Sequence, residues 1–398
     1  MKARICYLAP DVPVPSPRGS SVHVLEVSRE IAKLGFEVHI ICRRSNPVEA
    51  SQQKMGSITL HRINRRIFLP ETFNLNAAKE KRPRNLLRTF YYAYLRTIYT
   101  LYVSIICSRI VKQNDLHVII ERETAFGSGA ISSLITGRPL ILEVVGPRYS
   151  SLSARRSKAL FYYTDTMLKK GLERGKCYKV SAGVNLQLFR PDDVARETVR
   201  SKLQIPPDVT VLGYVGTFQH WHGVDILLYA LLKLLQSNCN VMVLLVGPKN
   251  EIYLQLAEHL GVSSRCIFVG GVEYEQVSSY INACDIMVAP YNPAADTLRA
   301  RFGIGSPIKI FEYMACSKPV ITSRIDPITR ILTDGQDSLL VTPGDVQELC
   351  KAIEALVQDK ERACRLGMNG LALVKSNYSW ARVADAITEQ IERSLTLN

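Results

Sequence analysis

The sequence predicts an α/β protein with two doubly wound domains, because two successive series of short apolar strands alternate with helical segments. The first series opens with predicted strands at residues 3–9 and 38–42, separated by a helix from Ser21 to Leu34. The second series opens at Val209–Val215 and closes at Ser338–Val341. The length of 398 residues also suits two domains, at roughly 150 residues per domain.

The first helix is predicted from its apolar spacing. Apolar residues recur at three- and four-residue intervals and are followed by a capping glycine: Val24, Val27, Ile31, Leu34 and Gly35. A strand, a helix and a second strand in this order form a βαβ unit, which implies a parallel sheet. Further apolar runs at 117–120 and 139–145 extend the same sheet.

The second series predicts a second sheet with its own helices. Its strands are expected at 209–215, 241–246, 266–269, 286–289, 319–322 and 338–341, with helices at 223–236 and 274–283. Residues 187–208, which contain three prolines and no sustained apolar period, mark the boundary. We therefore predict an N-terminal domain at 1–186, a C-terminal domain at 187–377, and a final amphipathic helix at 378–398 that packs back on the first domain.

The composition excludes several classes of protein. The chain is 47% hydrophobic and 22% charged, with 23 glycines and 19 prolines, which is unlike a collagen, a coiled coil or a mainly disordered chain. The sequence contains no run of 18 apolar residues that would predict a membrane span, and its first residues lack a signal-peptide pattern. The ten cysteines are scattered without metal-ligand or disulfide spacing, so we expect reduced thiols and a cytoplasmic protein.

Positive charge is concentrated in one part of the chain. The sequence carries a formal net charge of +14, and residues 43–112 hold 14 basic residues against three acidic ones. Such a basic surface favours anionic partners, including membrane phosphates and phosphorylated substrates, although it also fits a merely solvated face. We expect no nucleic-acid partner, because no recognition module accompanies the charge.

Residues 79–112 combine this charge with aromatic side chains. Tyr and Phe beside Lys and Arg suit an anionic membrane surface, where rings lie at headgroup level and cations meet the lipids. The alternative is a core helix that packs its aromatic side on the sheet and leaves its basic end in solvent. The first interpretation predicts peripheral attachment to the inner face of the membrane.

Two loops after predicted strands have the composition of anion-binding sites. The first, at 15–23, contains Gly19, Ser20 and His23 before a helix whose N-terminal amides can face an anion. We assign these residues to the acceptor and phosphate side of a binding site, since open α/β sheets bind ligands at the carboxyl ends of their strands.

The second loop opens the C-terminal domain. A strand ends at Gly216, and a helix begins after Gly223. Between them lies a polar and aromatic loop that includes Thr217, His220 and His222. The two histidines can donate hydrogen bonds to phosphate oxygens, although the loop also fits a structural cap at the domain edge.

The segment 299–315 has the pattern of a phosphate cradle followed by a helix. Its candidate ligand-binding residues are Arg301, Gly305, Ser306, Lys309 and Glu312. Pro307 is expected at the first helical position, where proline is favoured. The free amides of that turn, with the basic side chains nearby, can bind phosphate. Glu312 on the following turns can accept hydrogen bonds from a ribose diol.

Taken in order, these motifs resemble glycosyltransferase family 4, the retaining nucleotide-sugar transferases with two Rossmann-like domains (the GT-B fold). The resemblance runs almost end to end, and its most specific part is the run SPIKIFEYMA at 306–315. Other matching segments are 19–38, 182–191, 216–223, 246–248 and 269–272. The fold it implies has two domains facing a central cleft, with the C-terminal helix crossing back to the first domain.

The resemblance implies that the C-terminal domain binds a nucleoside diphosphate sugar as donor and that the N-terminal domain binds the acceptor. The donor-binding residues it implies are Gly216, Thr217, Gly223, Arg301, Gly305, Ser306, Lys309 and Glu312. In this scheme Glu312 holds the ribose hydroxyls and Lys309 contacts the diphosphate. No metal and no cofactor are expected, because helix N-termini and basic side chains neutralise the leaving diphosphate.

The sequence departs from the family pattern at several positions. Relatives often carry two glutamates separated by seven residues, but the first of these positions is Ile304 here. Thr217 and His222 stand roughly where many relatives have Arg and Lys. Glu143 is the only polar side chain in the segment 142–147, where relatives often have a polar residue. The residues that we predict as catalytic are Glu143, His222 and Lys309.

We predict a retaining glycosyltransferase that moves a hexose-type sugar from a nucleoside diphosphate to a glycan or lipid-linked acceptor in cell-surface polysaccharide or glycolipid biosynthesis. Two alternatives remain open. A sugar-nucleotide epimerase has the same architecture and would release product without an acceptor. A non-catalytic scaffold relative, suggested by Ile304, would bind nucleotide without turnover.

Overall fold

The computed structural model describes residues 2–16, 18–45, 48–64, 86–122, 127–146, 149–168, 172–296 and 307–396. The chain divides into two compact units, Met1–Val180 with Val383–Asn398, and Ser181–Arg382. Each unit contains one sheet with its own helices. The predicted fold class of two doubly wound α/β domains is confirmed.

Among the described residues, the first unit contains an eight-stranded sheet. Its strands are β1 (Arg4–Pro13), β2 (Glu37–Arg43), β3 (Gln52–Met55), β4 (Ile58–Ile63), β5 (Val118–Arg122), β6 (Leu140–Val144), β7 (Ala159–Tyr162) and β8 (Cys177–Lys179). Their order is β3-β4-β2-β1-β5-β6-β7-β8, and every neighbouring pair is parallel except β3 with β4. The order reverses between β1 and β5, the kind of position where open α/β sheets bind ligands.

The second unit contains a six-stranded, fully parallel sheet in the described part of the chain. Its strands are β9 (Thr210–Val215), β10 (Val241–Val246), β11 (Cys266–Gly270), β12 (Ile286–Ala289), β13 (Val320–Ser323) and β14 (Leu339–Val341). Their order is β11-β10-β9-β12-β13-β14, so the reversal lies between β9 and β12. The loop that follows β9 therefore lies at the expected ligand position.

Helices connect these strands. The first unit has α1 (Gly19–Lys33), α2 (Leu86–Gln113), α3 (Ser128–Thr136) and α4 (Ser151–Arg156). The second unit has α5 (Asp193–Lys202), α6 (Val224–Gln236), α7 (Glu251–His259), α8 (Tyr274–Ala283), α9 (Ile308–Ala315), α10 (Val346–Gln358) and α11 (Lys360–Asn377). The last helix is α12 (Trp380–Thr396), and the division between the units falls within it, after Arg382.

The core of each unit lies between its sheet and its helices. Every residue of β5 and of β12 is buried, as expected for parallel strands that are covered on both faces. In the first unit, Val103 of α2 shares a core with Leu8 of β1. In the second unit, Leu227 of α6 packs with Leu245 of β10. This continuous burial explains why the strands appear in the sequence as apolar runs.

The predicted strands are present with small shifts at their ends, but the β3–β4 hairpin was not predicted. Gln52–Met55 is a polar, mostly exposed edge strand, so it carries no apolar pattern. Helix α1 begins at Gly19, two residues before the predicted start.

Helix α5 was also missed, since it lies in the segment predicted as the domain boundary. Its sequence is polar, and its buried residues are Val199 and Arg200. The side chain of Asp192 caps its N-terminus by accepting from the Ala195 amide at 2.8 Å. A helix with so narrow a buried stripe has little apolar periodicity to detect.

Helix α2 carries most of the stretch that the sequence assigns to a membrane surface; residues 79–85 lie outside the described residues. One side of α2 packs in the core through Tyr99, Val103 and Cys107. The side chains of Tyr91 and Tyr94 are 59% and 62% exposed. The helix is thus a core helix that also presents aromatic rings to the outside, and attachment to a membrane stays a prediction. None of the helices described is long and apolar enough to cross a bilayer.

Candidate functional site

Two glycines shape the loop that follows β9. Gly216 has φ of +142°, which side chains disfavour, and its amide donates to the Val246 carbonyl at 2.9 Å. A Cβ on Gly247 would overlap the Gly216 carbonyl, so the two segments can approach only without side chains. A Cβ on Gly216 would lie 2.8 Å from Nζ of Lys309. Gly216 therefore contributes space for that amine, while its own amide is committed to the neighbouring strand.

Gly223 ends the same loop and precedes the first residue of α6. Its φ is +71°, and a Cβ at this position would overlap the carbonyl oxygen of Pro290. Both the backbone conformation and the close contact thus require glycine. The position of α6 against the end of β12 depends on this residue.

The carbonyl of Thr217 accepts two hydrogen bonds inside the loop. The Tyr214 hydroxyl donates to it at 2.8 Å, and Nδ1 of His222 makes a close contact with it. Because a carbonyl oxygen can only accept, His222 carries a proton on Nδ1. His222 is buried, whereas His220 is exposed. A contact between His222 and a phosphate would therefore have to use Nε2.

The amine of Lys309 lies among aromatic side chains. Nζ donates to the Tyr214 hydroxyl at 2.8 Å and lies 4.5 Å from the centre of the Tyr214 ring and 5.4 Å from that of Tyr291. Burial lowers the pKa of Lys309 to about 7, although the negative charge of Glu312 acts in the opposite direction. A lysine of this kind is partly uncharged at neutral pH.

Glu312 lies one helical turn further along α9. Its carboxylate is buried, and Oε1 accepts from the Tyr274 hydroxyl at 3.0 Å. Residues three apart lie on the same face of a helix, so Glu312 and Lys309 lie on one side of α9. A carboxylate can accept from the two hydroxyls of a diol, and an amine can bind a phosphate oxygen.

Helix α9 is attached to the end of β9 by Tyr313. Its hydroxyl accepts from the Val215 amide at 2.8 Å and donates to the Val215 carbonyl at 2.9 Å. Val215 directly precedes Gly216, so this contact holds Lys309 and Glu312 beside the glycine loop. The structure thus brings together predicted residues from two segments almost a hundred positions apart.

Part of the predicted donor site, namely Arg301, Gly305 and Ser306, lies outside the described residues, as does Ile304. Pro307 is described, and it is the N-cap of α9 rather than the first helical residue that was predicted. Its ψ of 64° is far from the helical value, so the helix begins at Ile308.

In the first unit, Glu143 lies at the centre of a buried hydrogen-bond network. Its carboxylate accepts from the Tyr163 hydroxyl at 2.7 Å and from the Arg122 guanidinium at 3.2 Å. It also makes close contacts with the Tyr7 hydroxyl and with Nε2 of His23. All five side chains are buried. The network joins β1, α1, β5 and β6 with the residue that follows β7.

Electrostatics keep this carboxylate ionised. Burial alone would raise the pKa of Glu143, but the charges of His23 and Arg122, together with hydrogen bonds from His23 and Tyr7, outweigh it. The pKa of Glu143 therefore lies well below its usual range. Because both carboxylate oxygens have protein donors, these contacts favour a residue that positions its neighbours. The catalytic role predicted for Glu143 stays a prediction.

The predicted residues of the first loop have different surroundings. Gly19 and Ser20 are the first residues of α1, and Gly19 is exposed. The next amide, of Ser21, donates to the Arg18 carbonyl at 2.8 Å. His23 lies inside the helix rather than in a loop, since α1 begins earlier than predicted, and it is buried against the Glu143 network.

Sequence reasoning missed the aromatic partners of both clusters. These residues are Tyr214, Tyr274 and Tyr291 in the second unit, and Tyr7, Tyr163 and Arg122 in the first. Tyr7 and Tyr214 lie within apolar strands and therefore resemble core residues in the sequence. Arg122, a charged residue at the end of an apolar strand, was the one local signal available. The others contact residues on different strands or helices, which a local pattern does not reveal.

In the described ranges of the chain, no group of three or more His, Cys, Asp or Glu side chains is arranged to hold a metal ion. Lys309 supplies a basic side chain at the candidate site. The expectation of a metal-independent site stays a prediction.

Two family models match the chain. Residues 4–136 match the model described as glycosyl transferase 4-like, and residues 209–359 match glycosyl transferases group 1. The first match runs from β1 to the end of α3. The second runs from β9 past the end of α10 and includes Gly216, Lys309 and Glu312.

Solved structures share the fold of the whole chain. Sucrose-phosphate synthase from Thermosynechococcus elongatus superposes with a TM-score of 0.74 at 18% identity, over 100% of both chains. The Anabaena protein HepE, in complex with UDP and glucose, has a TM-score of 0.71 at 17% identity and covers 98% of this chain and 100% of its own. At such identities the likeness concerns the two-domain GT-B fold.

Curated relatives match a smaller part. The D-inositol 3-phosphate glycosyltransferase 2 of Catenulispora acidiphila is 27% identical over 236 residues, which are 56% of this chain and 52% of the relative. The chain thus spans about half the length of the curated relatives it matches. The two family models together account for most of the sequence, in the order and positions that the fold requires. The family models, the curated relatives and the shared fold together support a family 4-type glycosyltransferase.

Proposed function

We propose that the chain is a retaining glycosyltransferase that moves a hexose-type sugar from a nucleoside diphosphate sugar to a glycan or lipid-linked acceptor in cell-surface polysaccharide or glycolipid biosynthesis. The observation that carries this proposal is the position of Glu312 and Lys309 on one side of α9, beside the glycine loop after β9. A buried carboxylate next to an amine and open backbone is the arrangement that a ribose linked to a diphosphate needs.

Each group has a distinct role in donor binding. Glu312 accepts from the two ribose hydroxyls, with Tyr274 orienting its carboxylate. Lys309 binds a diphosphate oxygen, assisted by the amide of Thr217 and the N-terminus of α9. Arg301, Gly305 and Ser306, which precede α9 in the sequence, complete the phosphate side of this proposal.

The chemistry needs no paired carboxylates. The bond from the anomeric carbon to the diphosphate breaks, the bond to the acceptor oxygen forms on the same face, and the acceptor proton passes to the departing diphosphate. Positive charge at Lys309 stabilises the negative charge that develops on this leaving group. We expect the reaction to proceed without a divalent metal for the same reason.

The other two predicted catalytic residues act through their neighbours in this proposal. His222 fixes the loop through the Thr217 carbonyl. Glu143 orients His23 and Arg122 near the end of β5, on the side of the first sheet where an acceptor would bind. Gly19 and Ser20, at the start of α1, contribute to the same side.

The acceptor class rests on the charge distribution. The basic stretch and the exposed rings of Tyr91 and Tyr94 on α2 support work at an anionic membrane surface, where a lipid-linked acceptor would be found. We therefore propose a cytoplasmic protein attached peripherally to the inner face of the membrane. The curated relatives are named for D-inositol 3-phosphate, so this compound is a second acceptor to test.

Donor binding is the first test. Thermal unfolding is measured with UDP-glucose, GDP-mannose and ADP-glucose, since a ligand at 100 times its Kd adds about 2.7 kcal/mol to the unfolding free energy. Glu312→Gln should weaken binding about 10- to 100-fold, because a charged acceptor is lost from two hydroxyls. Glu251→Gln, at an exposed carboxylate of the same unit, is the matched control and should bind normally. The absence of a shift with all three donors would contradict the proposal.

Turnover separates the alternatives. The donor that binds is incubated with a polyprenyl diphosphate-linked sugar, with D-inositol 3-phosphate or with no acceptor, each with and without EDTA. Acceptor-dependent release of nucleoside diphosphate that resists EDTA is expected. An epimerised donor without acceptor would favour the epimerase, and binding without turnover under every condition would favour the scaffold.

A further inference from the structure

Lys309 has an unusual set of neighbours for a lysine. Its amine donates to the Tyr214 hydroxyl at 2.8 Å and lies over the rings of Tyr214 and Tyr291. Among the described residues, the contacts of Nζ are the Tyr214 hydroxyl and the two rings, and no ion pair with a carboxylate is among them. The partners of the amine are thus weak and uncharged. The amine lies beside Gly216, where a side chain on residue 216 would contact it.

The titratable groups around this amine come from each packed element. Glu312 and Tyr313 share its helix, Tyr214 lies on β9, and Tyr291 follows β12. His222 lies in the loop, bonded to the Thr217 carbonyl. Of these groups, Glu312 favours the charged amine, but its carboxylate is engaged with Tyr274. Burial has the larger effect and lowers the pKa of Lys309 to about 7, from an ordinary value of about 10.4.

A bound diphosphate would change this balance. Its negative oxygens would supply the counter-charge that the described protein does not place at hydrogen-bond distance, which favours the ammonium form. The neutral amine then gains one proton from solvent, so that R–NH2 becomes R–NH3⁺ without breaking any bond of the donor. We propose that donor binding is coupled to protonation of Lys309, and that Tyr214 is the positioning residue that holds the amine over Gly216. This inference rests on the proposed donor site.

Tyr214 links two parts of the site. Its hydroxyl accepts from Lys309 and donates to the Thr217 carbonyl, so it connects α9 to the loop after β9. Without this hydroxyl, the amine loses its hydrogen-bond partner among the described residues and is no longer aligned with Gly216. Tyr214 therefore acts through Lys309 rather than on the substrate.

Calorimetry measures the proton directly. UDP-glucose, GDP-mannose and ADP-glucose are titrated at pH 8 in buffers of different ionisation enthalpy, and the slope gives the number of protons taken up. A nucleotide sugar is preferred to a free diphosphate, whose terminal phosphate titrates near pH 6 and would add its own proton. We expect about one proton per donor at pH 8, and an affinity that falls up to tenfold per pH unit between 7 and 9.

Two variants assign this proton. Lys309→Arg carries a permanent charge, so its binding should take up no proton and lose the pH dependence above 7. Tyr214→Phe should weaken binding about five- to tenfold and move the midpoint of the pH profile, because the environment of the amine changes. Tyr229→Phe, at an exposed tyrosine of the same unit, should change neither quantity.

The outcomes separate this inference from the proposed function. Donor binding with a proton count near zero at pH 8, or the same count in Lys309→Arg, would overturn the inference and leave the donor site standing. A uniform loss of affinity in Tyr214→Phe, with an unchanged midpoint, would overturn the positioning role. Failure of all three donors to bind would overturn both proposals.

Discussion

Glu143 in the first unit and Lys309 in the second are both enclosed ionisable side chains, but their neighbours differ. Glu143 has a guanidinium, an imidazole and two hydroxyls around its carboxylate, so its charge is compensated inside the unit. Lys309 has one hydroxyl and two aromatic rings, and its pKa is lowered to about 7. One cluster is closed, and the other lacks a counter-charge at hydrogen-bond distance.

This difference indicates that burial of the two charged groups has different effects on stability and on ligand binding. In a closed network every strong donor and acceptor is already paired, so the network stabilises the fold and holds its members in position. A buried amine without a bonded counter-charge costs stability, and it gains a strong partner only when an anion binds. We therefore expect substitutions at Glu143 to affect unfolding and substitutions at Lys309 to affect ligand binding. The three predictions below test this contrast.

The largest effect is expected from Glu143→Gln. The amide removes the negative charge and leaves the Arg122 guanidinium buried, so the chain should lose about 3–5 kcal/mol of unfolding free energy. Both tryptophans, Trp221 and Trp380, lie in the second unit, so their fluorescence follows that unit while circular dichroism follows both. Urea unfolding should show a lower transition by circular dichroism and an unchanged one by fluorescence.

A second glutamate provides the control for this experiment. Glu389→Gln removes an exposed ion pair with Arg393 and should cost less than about 1 kcal/mol. Because folding lowers the pKa of Glu143, its stabilisation is present above the unfolded pKa of about 4 and is lost as the pH falls further. The penalty of Glu143→Gln should thus shrink in acid. Equal stability of the two variants at pH 7 would contradict a closed network.

A smaller loss of unfolding free energy is expected from Gly223→Ala. This substitution tests whether the close backbone contact between Gly223 and Pro290 stabilises the second unit. The new Cβ would overlap the Pro290 carbonyl at a φ of +71°, so the second unit should lose about 3 kcal/mol. Gly261→Ala is the matched control, since Gly261 has φ of +70° with open space around it and should cost about 1 kcal/mol. The midpoint of the fluorescence transition in urea measures both. Similar losses in both variants would show that the contact with residue 290 contributes nothing.

The smallest change in stability is expected from Lys309→Met. At pH 7 its unfolding free energy should equal that of the parent chain or exceed it by about 1 kcal/mol, because a poorly compensated charge is removed. In the parent chain the unfolded lysine binds more protons than the folded one between about pH 7 and 10, so stability should rise with pH there. The variant should lack this rise, whereas Lys351→Met at an exposed position should keep it. A clear loss of stability in Lys309→Met would contradict the contrast, because Lys309 would then stabilise the fold as Glu143 does.

The sequence by itself determined the fold class, the order of the main strands and the helix that carries Lys309 and Glu312. These features depend on the periodicity of apolar residues and on residues within one helical turn of each other. Such residues are close in the sequence, so a local pattern reveals them. The same locality explains the failures. The edge strand Gln52–Met55 and helix α5 bury too few side chains to produce an apolar pattern.

Only the tertiary structure decided which charged groups are paired. Glu143 meets Tyr7 across 136 positions, and Lys309 meets Tyr214 across 95, because sheet order brings distant strands and helices together. The sequence showed two acidic residues and a lysine but gave no indication that one carboxylate is enclosed by donors while the lysine lacks a bonded counter-charge. The reason is physical: the protonation state of a buried group depends on its solvation and on charges within a few ångströms in space, whichever part of the chain supplies them.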